Sequence, residues 1–341
     1  MAGVAPKSML AGFLQVLEGP APIVILPHDN PDPDALASAA ALKYLVQEFL
    51  EKDAIIAQGG IVGRAENRAM LTYLNIDLKP VNEIALGPEM QIVLVDTQPG
   101  RNNNSLPATL VPAAVIDHHP AYAAYPGVPH LDLREDYGAT STIVTEYVRD
   151  SHLEVESKIA TALFYGIIAE TQDLGRESTR TDIAAAQFLY PYTNKRRLAK
   201  IENARVPQVY FRAFHDAIER AAIYDRVVIS ILPQVQYPDM VAEVADFLLR
   251  LDAVEWACAI GTFEGNVHVS LRTTERDVNA GDLLRRVLGS DQAGGHDMTA
   301  GGRVRVNGTG AKAAAAVAAG IQERLLAILG ASGAPALPLV G

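Results

Sequence analysis

The sequence predicts an α/β protein with a doubly wound, mostly parallel sheet in its first part and a second, smaller α/β domain after it. Short uninterrupted apolar segments alternate with helical ones in the first part, as is typical of parallel strands covered on both faces. The 341 residues exceed what one ordinary core needs. A basic, proline-bounded segment at residues 190–207 then interrupts the pattern. We therefore expect a first domain at residues 1–190, a connector at 191–215 and a second domain at 216–341.

Hydrophobic periodicity predicts the individual elements. The strands expected in the first sheet are residues 22–26, 54–58, 91–95 and 113–116. The helices expected around them are residues 8–17, 35–50, 66–74, 140–149, 155–171 and 181–190. The second domain is expected to contain strands at residues 226–231, 256–263 and 266–272, and helices at 238–251, 279–288 and 310–329. The last residues, 336–341, are expected to be frayed.

Charge and cysteine content exclude several classes of function. The 29 basic and 40 acidic residues give a net charge of −11, which disfavours a long nucleic acid duplex because duplex affinity depends on many Lys and Arg contacts with phosphate. A short or single nucleotide needs only a local basic pocket. The one cysteine, Cys258, excludes a disulfide within the chain. No apolar run reaches the roughly 18 residues of a membrane span, and no signal peptide is recognisable, so we expect a cytoplasmic protein without membrane association.

Acidic and imidazole side chains follow three of the predicted strands, at the point where each strand ends. They are His28, Asp32, Asp34, Asp96, Asp117, His118 and His119. The carboxyl ends of parallel strands meet at one edge of a sheet, so these groups should share a small space. Crowded carboxylates repel one another unless cations neutralise them. Mixed carboxylate and imidazole ligands suit two divalent ions, Mn²⁺ first and Mg²⁺ as the alternative, which would promote hydrolysis of a phosphate ester.

Each segment also has a simpler explanation. The sequence HDNPDPDA, residues 28–35, is compatible with an ordinary turn and helix cap. Asp96 alone could cap a turn, and residues 117–119 could form a surface loop. All three would have to coincide on one sheet edge, which favours the metal site.

These residues resemble, in order and spacing, the first three motifs of the DHH phosphoesterases. Residues 162–171 (ALFYGIIAET) resemble the fourth motif. Residues 269–272 (VSLR) and 293–302 (AGGHDMTAGG) resemble the DHHA1 domain that accompanies this family. Among the subfamilies, the chain is most similar to the bifunctional oligoribonucleases that also dephosphorylate 3′-phosphoadenosine 5′-phosphate.

The resemblance implies a role for each residue. His28, Asp32 and Asp96 would hold the first metal ion. Asp34 and His118 would hold the second, with Asp96 bridging the two ions. Asp117 would orient His118, and His119 would face the phosphate.

Two further segments carry implied roles. In the fourth motif, Glu170 stands where the family usually has Asp, with Asp173 three residues on and expected on the same helical face. Either could reach the second ion, and position favours Glu170. In the second domain, the resemblance implies that Arg272, Gly294, Gly295 and His296 bind substrate.

The leading functional hypothesis is a metal-dependent hydrolase of short oligoribonucleotides or of 3′-phosphoadenosine 5′-phosphate. Its partner would be such a small phosphorylated substrate, and the chain could form a homodimer. One alternative is another DHH substrate, namely linear or cyclic dinucleotides, pyrophosphate or polyphosphate. A non-enzymatic alternative is a nucleotide-binding sensor in which Glu170 marks a weakened second metal site.

Overall fold

The computed structural model describes residues 8–175, 178–295, 297–306 and 310–340. The chain divides into two compact units, Met1–Ala204 and Arg205–Gly341. The division falls inside the segment predicted as a connector. That segment contains the helix Lys195–Glu202 and the first part of the helix Gln208–Glu219.

The first unit is built on a six-stranded parallel sheet. In chain order its strands are β1 Ile23–Pro27, β2 Ala54–Gln58, β3 Lys79–Pro80, β4 Gln91–Val95, β5 Ala114–Asp117 and β6 His130–Leu133. Their spatial order is β3-β2-β1-β4-β5-β6. The chain therefore builds outwards from β1 in one direction and from β4 in the other. This reversal leaves a crevice outside the carboxyl ends of β1 and β4, where open α/β sheets bind their ligands.

Both faces of this sheet are covered, as the continuous apolar strand segments predict. Ile23 and Ile25 of β1 pack into the larger hydrophobic cluster, which the helices complete. Val24 and Leu26 point to the opposite face and pack in a smaller cluster. Irregular segments that include Leu86 and Leu110 pack against that second face.

The helices of the first unit are α1 Met9–Val16, α2 Pro33–Leu50, α3 Ala65–Leu74, α4 Thr140–Asp150, α5 Ser157–Glu170, α6 Arg180–Leu189 and α7 Lys195–Glu202.

Helix α2 begins where its sequence favours a start. The Asp32 carboxylate accepts a hydrogen bond of 3.0 Å from the Ala35 backbone N–H, and Pro33 occupies the first turn. The helix ends at Leu50, and the residue that caps it, Glu51, adopts the left-handed conformation. Leu42 and Leu45 are fully buried, and each such burial stabilises the fold by roughly 1.5–3 kcal/mol.

The second unit holds a seven-stranded mixed sheet in the order β11-β12-β10-β9-β8-β7-β13. Its strands are β7 Ala222–Tyr224, β8 Val227–Leu232, β9 Trp256–Phe263, β10 Asn266–Thr273, β11 Ala293–Gly295, β12 Thr299–Arg305 and β13 Leu337–Pro338. Only β8 and β9 run parallel; the other pairs are antiparallel. Its helices are α8 Gln208–Glu219, α9 Met240–Leu248, α10 Ala280–Leu288 and α11 Ala311–Ile328.

The structure corrects the predicted C-terminal tail. Leu337 and Pro338 were expected to be frayed, but they form β13 and pair with Ile223 and Ala222 of β7. Five further strands were not predicted from the sequence: β3, β6, β7, β11 and β12. Most are short, and the glycines of β11 and β12 give a weak strand signal.

Among the described residues, no helix is both long enough and apolar enough to cross a bilayer.

A very close helix contact beneath the sheet edge occurs at Gly166 of α5. A Cβ atom there would overlap Ser141 Oγ and would lie 3.1 Å from Ala37 Cβ and 3.2 Å from Pro33 O. Since these atoms belong to α2 and α4, only glycine lets the three helices approach so closely.

We expect Gly166→Ala to destabilise the protein by about 1–3 kcal/mol through overpacking, although alanine favours helix by up to about 1 kcal/mol. Urea denaturation followed by circular dichroism measures the change. Gly320→Ala in α11 is the matched control, because its Cβ would meet no described atom closer than Arg324 Nη1, at 3.8 Å. That variant should be unchanged or slightly stabilised. Equal effects of the two substitutions would show that Gly166 is not required for the approach of the three helices.

Candidate metal centre

The seven residues predicted for a metal site lie together at the carboxyl edge of the first sheet. His28 directly follows β1, and Asp96 directly follows β4. Asp117 is the last residue of β5. These are the central strands, and β1 and β4 flank the point where the strand order reverses. The topology therefore delivers the acidic and imidazole groups to one crevice.

Asp96 lies between two histidines. Its Oδ2 atom lies 3.5 Å from His28 Nε2, and its Oδ1 atom lies 3.6 Å from His118 Nε2. Asp96 is buried, and its φ angle of 58° places it in the left-handed region, where non-glycine residues are strained and often functional. Each carboxylate oxygen thus faces the Nε2 atom of a different imidazole.

Both histidines are oriented in the same way. His28 Nδ1 lies 3.0 Å from the Asp29 carbonyl oxygen, and His118 Nδ1 lies 3.1 Å from the Tyr137 carbonyl oxygen. Because a carbonyl oxygen only accepts, Nδ1 must donate in each ring. When the rings are neutral, Nε2 then carries the lone pair, which is the tautomer of a metal ligand.

At this sheet edge, two groups of side chains have the spacing of a metal site. In each group the ligand atoms all lie within 4.8 Å of one another. One group is His28, Asp32 and Asp96, and the other is Asp96, His118 and His119. Asp96 belongs to both groups. A third such group among the described residues, His215, Asp216 and Glu219, is exposed on α8.

Asp34 is buried at the start of α2 and fixes the start of α4. Its Oδ2 accepts a 2.7 Å hydrogen bond from Thr140 N, and its Oδ1 accepts a 2.6 Å hydrogen bond from Ser141 N. Thr140 Oγ1 in turn donates to Asp96 Oδ1 at 2.8 Å. The N-terminus of α4 therefore stabilises two of the carboxylates.

The structure corrects the expected partner of Asp117. This carboxylate was expected to orient His118, but its Oδ1 accepts a 2.7 Å hydrogen bond from His119 Nδ1. The His118 ring is held instead by the Tyr137 carbonyl. The buried Gln98 donates to Asp117 Oδ2 at 2.7 Å, so a hydrogen-bonded series runs from Gln98 through Asp117 to His119.

Glu170 is the last residue of α5, and the charges of Asp32, Asp34 and Asp96 act on it. Asp173 was expected on the same helical face. It lies instead beyond the helix end, in a turn where its φ angle is 59°.

Electrostatic crowding is the main property of this site. Burial raises the pKa of Asp96 well above its usual range, and the charges of Asp34 and Asp32 raise it further. Burial and the charge of Asp32 raise the pKa of Glu170 to about 8. Burial alone would lower the pKa of His28, but Asp32 and Asp96 raise it well above its usual value. A divalent cation would relieve this repulsion, so the donor set fits such an ion.

One supporting residue, Asp182, was not predicted from the sequence. This fully buried carboxylate belongs to the capping box of α6. It accepts hydrogen bonds from Gly138 N, at 3.1 and 3.0 Å, and from Thr142 Oγ1, at 2.5 Å. Asp182 thereby holds the turn that presents Thr140 to Asp96. The S/T-x-x-D pattern at Thr179 was the only available signal, and it predicts a helix start rather than a site.

The predicted substrate-binding residues lie in the second unit. Arg272 of β10 is buried, with Nε 2.5 Å from Asp246 Oδ1 and Nη1 2.7 Å from Ser270 Oγ. Ser270 pairs with Gly301 of β12, and Gly301 pairs with Gly294 of β11. These residues are therefore neighbours on one sheet.

The two predicted glycines have different local constraints. Among the described residues, a Cβ atom on Gly294 would have no neighbour within 4 Å, whereas one on Gly295 would collide with the backbone at Thr299 and Ala300. Gly295 is thus required by the fold, and Gly294 leaves an open surface. His296 lies outside the described residues.

Each of the two units of the chain matches a known protein family model. Residues 22–167 match the family model described as DHH family, N-terminal domain. Residues 225–323 match the model of the DHHA1 domain.

Two curated relatives extend the match. The uncharacterized protein MJ1633 of Methanocaldococcus jannaschii is 33% identical over 289 residues, which are 84% of this chain and 59% of that protein. Cyclic-di-AMP phosphodiesterase GdpP of Geobacillus thermodenitrificans is 30% identical over 294 residues, covering 80% of this chain and 43% of that protein. This chain thus spans about half the length of these relatives.

The fold resembles the crystal structure of an exopolyphosphatase-related protein from Bacteroides fragilis. The TM-score is 0.73 at 15% identity, and the match covers 96% of this chain and all of that one. The two matched domains account for most of the chain, and the first contains the candidate metal ligands from His28 to His119. The chain therefore belongs to the DHH family and carries a DHHA1 domain in its C-terminal half.

Proposed function

We propose that this protein is a two-metal phosphoesterase that hydrolyses short oligoribonucleotides, 3′-phosphoadenosine 5′-phosphate, or both. The position of Asp96 carries the proposal. Its two oxygens face the Nε2 atoms of His28 and His118, and both rings are fixed through Nδ1. One carboxylate between two such imidazoles is the arrangement expected of a ligand that bridges two ions.

The proposed metal ligands form two sets that share Asp96. His28, Asp32 and Asp96 would hold the first ion. Asp34, Asp96 and His118 would hold the second. Glu170 would complete the second set, because the charges of the other carboxylates act on it. Oxygen and imidazole donors together favour Mn²⁺, with Mg²⁺ as the alternative.

The bound ions would supply a nucleophile and stabilise the negative charge that develops on the oxygens around phosphorus. The protein contributes orientation. Asp117 accepts from His119 Nδ1, which supports the proposed contact between the His119 ring and the substrate phosphate. Burial and the charge of His118 lower the pKa of His119, so its ring is neutral at neutral pH until a phosphate stabilises the charged form.

A nucleotide substrate is favoured over a small inorganic ion by the second unit. The relative named for its action on cyclic di-AMP matches 80% of this chain. A match of that length must include residues of both units. The proposed substrate-binding residues there are Arg272, Gly294, Gly295 and His296. The buried Arg272 side chain and the open surface at Gly294 suit a phosphate and an adjoining planar group. The net charge of −11 agrees with small substrates and disfavours long duplexes.

Hydrolysis of a substrate panel tests the proposed activity. The panel contains a 5′-phosphorylated RNA dinucleotide, a longer RNA, 3′-phosphoadenosine 5′-phosphate, cyclic di-AMP and pyrophosphate. With Mn²⁺ present, we expect release of mononucleotide or phosphate from the dinucleotide or from 3′-phosphoadenosine 5′-phosphate. Asp96→Asn should reduce the rate by more than about 100-fold, since even residues behind metal ligands contribute about 10- to 100-fold.

Asp53→Asn is the control for that variant. Asp53 is 81% exposed and pairs with Lys43, so its substitution should leave the rate unchanged. Preference for cyclic di-AMP or pyrophosphate would replace the proposed substrate. If every compound survived while Mn²⁺ still bound, the enzymatic proposal would be wrong and a nucleotide-binding role would take its place.

Metal binding should also remove a pH dependence of stability. The pKa of Glu170 in the folded, metal-free protein is about 8, above its ordinary value. The folded state therefore holds a proton that the unfolded state releases. The contribution of the Glu170 carboxyl group to the free energy of unfolding is fully present below its ordinary pKa. It is lost as the pH rises through about 8. In EDTA we expect the melting temperature to fall between about pH 5 and pH 9.

The Glu170→Gln variant isolates the contribution of this residue. Its melting temperature in EDTA should fall less over the same range than that of the wild type. Saturating Mn²⁺ should reduce the difference between the two pH profiles by neutralising the carboxylates. Identical profiles in EDTA would show that Glu170 lies outside the crowded site.

A further inference from the structure

Helix α7 carries a dense group of basic side chains on a protein that is otherwise acidic. Lys195, Arg196, Arg197 and Lys200 are exposed, while Leu198 and Ile201 are buried and attach the helix to the first unit. In the described part of the chain, Arg196, Arg197 and Lys200 have no acidic partner. Their charge is therefore directed to solvent.

Exposed aromatic rings accompany these cations. Tyr190 is 53% exposed, Tyr192 is 45% exposed and Tyr73 of α3 is 38% exposed. Lys200 Nζ lies 5.1 Å from the centre of the Tyr73 ring, and Lys195 Nζ lies 3.1 Å from that of Tyr190. A cation therefore lies against an exposed ring near each end of α7.

Two of these tyrosine rings pack against phenylalanine rings of the first unit. Tyr190 packs on Phe164 with ring centres 5.6 Å apart, and Tyr192 packs on Phe188 at 5.9 Å. Lys195 Nζ donates hydrogen bonds to Tyr190 O and Thr193 Oγ1. A ligand that stacks here would therefore cost little side-chain entropy, because these rings are already restricted.

The combination favours single-stranded nucleic acid over other anionic partners. Cations that follow a phosphate backbone, together with aromatic rings on which bases stack, are the features of such binding surfaces. A membrane surface would require apolar side chains to insert, but the two large apolar residues of α7, Leu198 and Ile201, are buried.

The surface lies beside the helix that ends at the metal centre. The Asn194 backbone N–H, at the start of α7, donates a 2.8 Å hydrogen bond to Thr161 Oγ1 of α5. At the other end of α7, the charge of Glu202 acts on Tyr165 of α5. Since α5 ends at Glu170, α7 runs alongside the helix that supplies a proposed metal ligand.

We propose that Lys195, Arg196, Arg197 and Lys200, with Tyr73 and Tyr192, form an α7 surface that binds single-stranded oligoribonucleotide. This inference rests on the proposed function, because the bound strand would be the part of a substrate that extends beyond the metal centre. Tyr73 and Tyr192 would stack on bases, and the cations would contact phosphates. Substrates of several nucleotides would then bind more tightly than dinucleotides.

Fluorescence anisotropy in EDTA tests the α7 surface without requiring hydrolysis. The probes are labelled oligoadenylates of two and eight nucleotides, bound to the full chain at several salt concentrations. The triple variant Arg196→Ala, Arg197→Ala, Lys200→Ala should weaken binding of the eight-nucleotide probe by about 10-fold or more. The log–log slope of its affinity against salt concentration should become shallower by about 0.7 for each phosphate that the variant no longer neutralises.

The matched control removes three other exposed cations of the first unit, by Lys79→Ala, Arg149→Ala and Lys158→Ala. Both triple variants change the net charge equally, so equal weakening of binding would show a general charge effect and overturn the proposal. Tyr192→Ala should weaken binding without changing the salt slope. Preferential binding to vesicles of anionic phospholipid would also overturn it.

Dinucleotide hydrolysis separates this proposal from the proposed function. The α7 triple variant should hydrolyse the dinucleotide at the wild-type rate. If the wild type hydrolyses no nucleotide, the proposed function fails, while the anisotropy result still decides whether the α7 surface binds RNA.

Discussion

Mutual repulsion among buried carboxylates governs the arrangement of the first unit. Two unit charges about 4 Å apart repel by on the order of 4 kcal/mol at an effective dielectric constant of about 20. The pKa values of Asp34, Asp96 and Glu170 are all raised by burial, and the charge of Asp32 raises each of them further. Burial would also raise the pKa of Asp32 itself, but His28 lowers it, so that this carboxylate keeps its charge. A fold that brings such groups to one crevice is stable only if other groups oppose the repulsion.

The protein opposes this repulsion with positive dipoles from its own backbone. The first N–H groups of α4 donate to both oxygens of Asp34, and Thr140 Oγ1 donates to Asp96. Asp182 secures that helix start from α6, and Gly166 lets α5 approach it closely. The packing of these helices therefore also determines the positions of the donors to Asp34 and Asp96. The remaining repulsion is what divalent cations would neutralise.

Much of this could be predicted from the sequence because the main signals are local. Buried parallel strands are short apolar runs, and Asp96 and Asp117 stand at the ends of two of them, so the site edge was predictable. The hydrogen-bond partner of Asp117, His119, could not be predicted from the sequence. His118 and His119 are adjacent in sequence, and only the backbone after β5 decides which ring receives the carboxylate. The role of Asp182 could not be predicted either, because it depends on a contact with Gly138, 44 residues away.

Anomalous diffraction from crystals grown with Mn²⁺ tests the two-metal centre most directly. We expect two Mn²⁺ peaks at the carboxyl ends of β1, β4 and β5. One should lie within coordination distance of His28 Nε2 and the other within that of His118 Nε2, with Asp96 contacting both. A single ion held without Asp96, or ions bound only at exposed acidic side chains elsewhere, would contradict a centre bridged by Asp96.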